Sequence, residues 1–210
     1  MSRLVFGLVV VLSSSVFCPM TEAAVQWAIE DGGNGHYYEL VYDKVTWPVA
    51  KTLAEQMSYQ GVSGHLVTIT SSEEETFVIE NVFSSLSQDD QFWMGAWIGL
   101  TDNEQYGGSE SSGRPDPQTD GWAWVTGEPV SYTDWRPDAP NDFGANEDYA
   151  LMAWHNSTGW NDQSDYHSPP FMVEYDTPAS PVPEPSTLVL WSVFGALAIA
   201  VGWCRRRKAC

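Results

Sequence analysis

The stretch from Trp135 to Asp162, WRPDAPNDFGANEDYALMAWHNSTGWND, constrains this chain more than any other. Asp138, Asn141, Asp142, Glu147 and Asp148 crowd into eleven of its residues, on a backbone broken by Pro137, Pro140, Gly144 and Asn146. A strand-like apolar run, Tyr149 to Trp154, then leads to a second oxygen pair, Asn161 and Asp162, directly behind Trp160. Calcium is a hard cation that takes about six to eight oxygen ligands from carboxylates, amides and carbonyls, and a loop closed by such a strand suits it. The plain alternative is a solvated acidic loop. Acidity alone does not separate the two; arrangement does.

The arrangement resembles the C-type lectin-like domain. In that family a tryptophan is followed by a Glu-Pro-Asn or Gln-Pro-Asp triplet, then Glu-Asp-Cys, then Trp-Asn-Asp. Here Trp135 is followed by Ala139-Pro140-Asn141, then Glu147-Asp148-Tyr149, then Trp160-Asn161-Asp162. Upstream, Trp97-Ile98-Gly99-Leu100 matches the family's WIGL signature as it stands. Thr46-Trp47 with Ala50, and Gly64 to Ile69 followed by Ser72-Glu73-Glu74, resemble its two-helix opening. The likeness runs in order from about Gly35 to Tyr175. It implies the fold more strongly than it implies sugar binding, because one fold hosts many functions.

Composition bounds the partners. The 210 residues suit one domain plus processing segments, and 43% hydrophobic content with 11 Trp is enough for a packed core. Between Val25 and Ser180 four basic residues (Lys44, Lys51, Arg114, Arg136) face twenty-six acidic ones, a balance of −22. Such a surface repels phosphate backbones, which excludes nucleic acid as a partner and favours cations.

The two ends read as processing segments. Residues 1–24 have the pattern of a secretory signal: Arg3, an apolar Leu4–Val16 run, and a small-residue cleavage site at Thr21-Glu22-Ala23 or Ala24. The domain is then 25–176, followed by a Pro-rich linker at 177–186, a hydrophobic segment at 187–204 and a basic tail at 205–210. This C-terminal end resembles the PEP-CTERM sorting signal of Gram-negative bacteria, with Pro183, Glu184 and Pro185 as its signature. The resemblance implies an exosortase partner, transient insertion in the inner membrane through 187–204, and export to the periplasm, cell surface or exterior. A plain single-span anchor leaves the domain facing the same way. All three cysteines (Cys18, Cys204, Cys210) fall in segments expected to be lost, so the exported domain is disulfide-free. At the positions of one disulfide pair of the family stand Ala54 and Val173. The other pair is matched by Tyr149 and either Asp165 or Tyr166.

Periodicity gives an α+β pattern. Thr46 is placed to cap a first helix with Pro48 in its first turn and Trp47, Ala50, Ala54 and Met57 on one face, ended by Gly61 and Gly64. Ser72 with Glu75 reads as a capping box for a second helix bearing Val78, Ile79, Val82, Phe83 and Leu86. Short strands follow at Trp93–Leu100, Trp122–Trp124, Tyr149–Trp154, Gly159–Asp162 and Phe171–Tyr175, after an earlier one at Tyr37–Tyr42.

By the resemblance, Asn141, Glu147, Asn161 and Asp162 are ligands of a principal calcium site, and Asn141, Glu147 and Asn161 also bind sugar hydroxyls. Ala139 supplies no oxygen where the family has an acid. A second site is implied at Asp102, Asp142 and Asp148, with Glu104 or Glu110 as stand-ins, and Pro140 matches a proline that is cis in the family. Three functions compete. The first is a calcium-dependent carbohydrate-binding module for a glycan or exopolysaccharide, with Trp154 and Trp160 as candidates to stack on a sugar face, core being the favoured reading of Trp160 as it is of Trp122 and Trp124. The second is a protein-interaction or structural module of the same fold. The third is an enzyme, which is disfavoured because His36, His65, His155 and His167 form neither a metal-ligand spacing nor a triad with a nucleophile motif.

Overall fold

A computed structural model describes residues 24–85, 95–110, 116–153 and 159–177. The chain divides after Tyr175 into two units, and the second, Asp176–Cys210, is described only at its first two residues. The cysteines, the signal and sorting segments, Leu86, Trp93, Arg114, Trp154 and His155 therefore lie outside the described residues. Among the described residues no helix is long and apolar enough to cross a membrane.

The described elements run β1 (Val25–Gln26), β2 (Tyr37–Val41), α1 (Trp47–Gln56), β3 (Ser58–Tyr59), β4 (Val62–Leu66), α2 (Ser72–Asn81), β5 (Ala96–Thr101), β6 (Ala123–Trp124), β7 (Tyr149–Met152), β8 (Asn161–Gln163) and β9 (Phe171–Tyr175). One path through the sheet is β1-β2-β9-β5-β7-β8, with β4 also paired to β9 and β6 to β5. The α+β expectation holds. β9 is the centre: it pairs antiparallel with β2 and β4 and meets β5 in a parallel contact, Trp97 opposite Phe171. The last strand among the described residues thus pairs with the second, β9 on β2.

Both helices differ in detail from the sequence expectation. Thr46 sits at the N-cap of α1, yet its side chain caps nothing; Pro48 lacks an N–H, and the Thr46 carbonyl accepts from Val49 and Ala50 instead. Gly61 and Gly64 do not end α1, which stops at Gln56. Gly61 turns β3 into β4 at φ 83°, and Gly64 lies within β4. In α2 the cap is Ser71, not Ser72, accepting from Glu74 N at 3.2 Å, while the Glu74 carboxylate reaches back to Thr70 N at 2.8 Å. Shifting the box by one residue frees Glu75 for the interior.

Two clusters make the core, one on each side of the β5–β7–β9 layer. Trp47, Ala50, Ala54, Trp97, Tyr149, Phe171 and Val173 belong to one; Tyr38, Val78, Ile98, Trp122, Trp124, Trp135, Ala139 and Trp160 belong to the other. Trp97 and Ile98 alternate between them as a strand's period of two requires. Gly99 explains the third letter of the signature: a Cβ there would come within 2.8 Å of the Leu66 carbonyl oxygen, where its own N–H bonds Val67. Ala54 and Val173 pack in one cluster, so apolar contact stands where a cross-link was implied.

Candidate metal and ligand site

The loop from Trp135 to Asp148 is held to the body by its two ends. Trp135 and Trp160 form a parallel bridge, with Trp160 N donating to Asp134 O at 2.6 Å and Arg136 N to Trp160 O at 2.9 Å. The Ala139–Pro140 peptide is cis, as the resemblance implies. Asp138 and Asp142 adopt φ of 70° and 45°, a left-handed backbone that a short acidic side chain tolerates.

Asp162 organises this loop. Its Oδ2 accepts from Asn141 N and Asp142 N, each at 2.6 Å. Across the turn, Phe143 N donates to Glu147 Oε2 at 2.9 Å and Glu147 N to Asp142 Oδ1 at 3.3 Å. Asp162 thus holds the backbone of Asn141 and Asp142, Glu147 that of Phe143, and the Asn141 amide itself donates from Nδ2 to Asp138 O at 2.8 Å. Asn161 and Asp162 are 3% and 0% exposed, yet Asn161 Oδ1 and Asp162 Oδ1 meet no hydrogen-bond partner among the described residues. A buried oxygen left so costs roughly 1–3 kcal/mol.

Electrostatics sharpen the picture. Burial pushes the Glu147 carboxyl above its ordinary value, the charges of Asp162 and Asp142 push it further, and Phe143 N–H and Arg136 pull it back. Burial also raises Asp162, with the backbone N–H groups of Asp142 and Asn141 opposing. Desolvated, mutually repelling carboxylates beside unpartnered amide and carboxylate oxygens form a donor set that fits a hard divalent cation.

The second expected set is only partly assembled. Asp102, Asp148 and Glu110 bring carboxylate oxygens within 4.8 Å of one another. Asp142 does not join them, because it is turned to Glu147, and Glu104 is used by Glu110 N. Glu110 is the acid that completes the group. Asp148 is steadied by Asn103 Nδ2 at 2.5 Å.

Other expectations resolve plainly. Trp160, Trp122 and Trp124 are core, and Asp138 is an exposed turn residue. Ala139 is 7% exposed and packs in the aromatic cluster. The sequence reading missed Phe143, 81% exposed at the loop tip, and Glu75, which accepts from Trp160 Nε1 at 2.7 Å. For Glu75 a signal existed: with Val78 and Val82 it falls on the apolar face of its helix at i, i+3 and i+7.

The family described as "Lectin C-type domain" matches residues 45–173. The chain is 33% identical over 142 residues to halomucin of Haloquadratum walsbyi, covering 68% of this chain but 1% of that protein. It is 31% identical over 150 residues to the hepatic lectin of Gallus gallus, covering 70% of this chain and 57% of that one. The chain thus spans well under two thirds of these relatives. Its structure is similar to that of the C-type lectin CEL-I from Cucumaria echinata, at 25% identity and a TM-score of 0.56, covering 77% of this chain and 99% of that one. With the fold, the loop and the family match in agreement, the chain belongs to the C-type lectin domain family.

Proposed function

We propose that the domain is a calcium-dependent carbohydrate-binding module carried by an exported protein. The observation that carries this reading is the pair of buried, unpartnered oxygens on Asn161 and Asp162 beside the desolvated Glu147. Asn141, Glu147, Asn161 and Asp162 would hold the ion. Asp102, Glu110 and Asp148 would hold a second. The bound ion would supply a positive centre for vicinal sugar hydroxyls, and the remaining amide and carboxylate capacity of Asn141, Glu147 and Asn161 would bond the same hydroxyls. Phe143 offers an exposed aromatic face next to that position. The relatives named lectins support the assignment, as does the family's character as a binding domain rather than an enzyme.

A second reading, a protein-interaction or structural module with calcium at most as a brace, is favoured by one observation. Where sugar-binding members of the resembled family have an acid ligand, this chain has Ala139, packed in the core. Calcium titration followed by glycan-array binding, with and without chelator, separates the two. Chelator-sensitive glycan binding is the expected result; calcium uptake without any glycan signal would leave the interaction module.

Localisation belongs to the same proposal. Pro183-Glu184-Pro185, the apolar segment and the basic tail resemble an exosortase signal. Glu184→Ala is expected to leave export intact and abolish C-terminal trimming. Mass spectrometry showing one mature C-terminus in both proteins would rule that handling out.

A further inference from the structure

Glu75 leaves α2 for the interior, where it is 4% exposed. Its carboxylate accepts from Tyr132 Oη at 2.5 Å and from Trp160 Nε1 at 2.7 Å. These donors come from the two arms that carry the candidate loop: Tyr132 lies just before Trp135, and Trp160 just before Asn161. The Trp160 ring is fixed edge-on by Trp124 at 5.7 Å, Tyr132 at 5.9 Å and Trp135 at 5.8 Å, and Glu75 takes its one N–H. The next two residues bear the unpartnered oxygens, and Asp162 in turn holds the backbone of Asn141 and Asp142. A continuous set of contacts therefore runs from the buried face of α2 to the loop.

From this geometry we infer that Glu75 is a positioning residue for the candidate cation site, acting through Trp160 on Asn161 and Asp162, and that its charge tunes the affinity of that site. The inference rests on the calcium reading above. Burial pushes Glu75 up to about 7; the Tyr132 bond lowers it, the Asp134 charge raises it and the Trp160 bond lowers it. Glu73, on the same helix, bears on Tyr132 rather than on Glu75 directly. When Glu75 is ionised both bonds are charge-assisted, roughly twice as strong as neutral ones. When it is protonated, Oε2 carries the proton, the Tyr132 hydroxyl turns to accept it, and the Trp160 bond becomes a neutral one. The clamp loosens without breaking, and a negative charge behind the site is lost.

The test compares wild type with Glu75→Gln, which keeps the shape and the neutral hydrogen bonds. Calcium affinity is measured by calorimetry at pH 8 and pH 5.5, and the Trp160 indole N–H is followed by NMR in calcium-free protein. At pH 8 the variant should bind calcium about three- to tenfold more weakly, the scale set by halving a charge-assisted bond. At pH 5.5, where wild-type Glu75 is itself protonated, the two should match. The wild-type indole resonance should titrate with a midpoint near 7, as burial sets it, and the variant's should not. Tyr132→Phe, a second variant, removes a bond that lowers the Glu75 pKa and should move that midpoint upward. Equal affinity at pH 8, the same ratio at both pH values, or an indole signal flat across the range overturns the inference while the calcium reading stands. A folded wild type that takes up no calcium at pH 8 overturns both.

Discussion

Asp162→Ala should abolish calcium uptake, with affinity falling about a hundredfold or more, while the calcium-free domain stays folded. Asp162 has two tasks. Its Oδ2 gathers Asn141 N and Asp142 N at 2.6 Å each, and its Oδ1 is a buried acceptor with no partner among the described residues. Removing the side chain deletes a carboxylate ligand and releases the segment bearing Asn141, so two of the four proposed ligands fail together. Hydrogen bonds to charged groups contribute about 1.5–3 kcal/mol each, and a factor of ten in affinity is about 1.4 kcal/mol. Two such losses exceed a hundredfold. Stability moves less, because burial already disfavours the ionised Asp162 and its removal relieves that cost. Calorimetric titration reads the affinity and thermal melting in chelator reads the fold. An affinity within tenfold of wild type would remove Asp162 from the site.

How much of this was legible in the sequence depends on the residue. The family resemblance implies Asn141, Glu147, Asn161 and Asp162 as ligands, and the structure ties the backbone of Asn141 to Asp162 and that of Phe143 to Glu147. Trp97 to Leu100 could be read as core because a strand's alternation leaves little freedom about which face each residue takes. The cap of α2 lies one residue before the expected one because Ser71 and Ser72 are chemically equivalent, and only the backbone decides which hydroxyl meets Glu74 N. The consequence reached far. A box set at Ser72 and Glu75 puts Glu75 at the helix end, whereas it is the acid that meets Trp160 across 85 residues of sequence. The resemblance likewise implies Asp142 in a second cluster, and no sequence pattern says which way a residue at φ 45° aims its side chain. Strands β1 and β3 leave no sequence signal, because each spans two residues, too few to show a period. What the sequence carries poorly is direction, and a loop made of turns is mostly direction.

The largest effect on stability is expected at Trp47→Ala. Trp47 is fully buried, stacks on Tyr149 at 4.7 Å and 23°, and donates from Nε1 to the Ile98 carbonyl at 2.7 Å. It thereby joins α1 to β5 and β7, inside the same cluster as Ala54 and Val173. In this cysteine-free domain that cluster stands where the family resemblance implied a cross-link, typically worth about 2–4 kcal/mol. Truncating a buried Trp costs about 3–5 kcal/mol through lost transfer and the cavity left behind, and losing its bond to the Ile98 carbonyl adds about 1 kcal/mol. Against a total stability of about 5–15 kcal/mol, such a loss removes a large fraction. Urea unfolding should show it as a lower midpoint at unchanged slope, since the area exposed on unfolding barely changes. Thermal midpoints should drop by roughly 10 °C or more for a domain of this size. Trp47→Phe divides the two contributions: it keeps a ring over Tyr149 and loses the N–H, so it should cost nearer 1–2 kcal/mol. A Trp47→Ala variant losing less than about 1 kcal/mol would mean that packing at this cluster does not hold α1 to the sheet, and the absence of a cross-link would need another explanation.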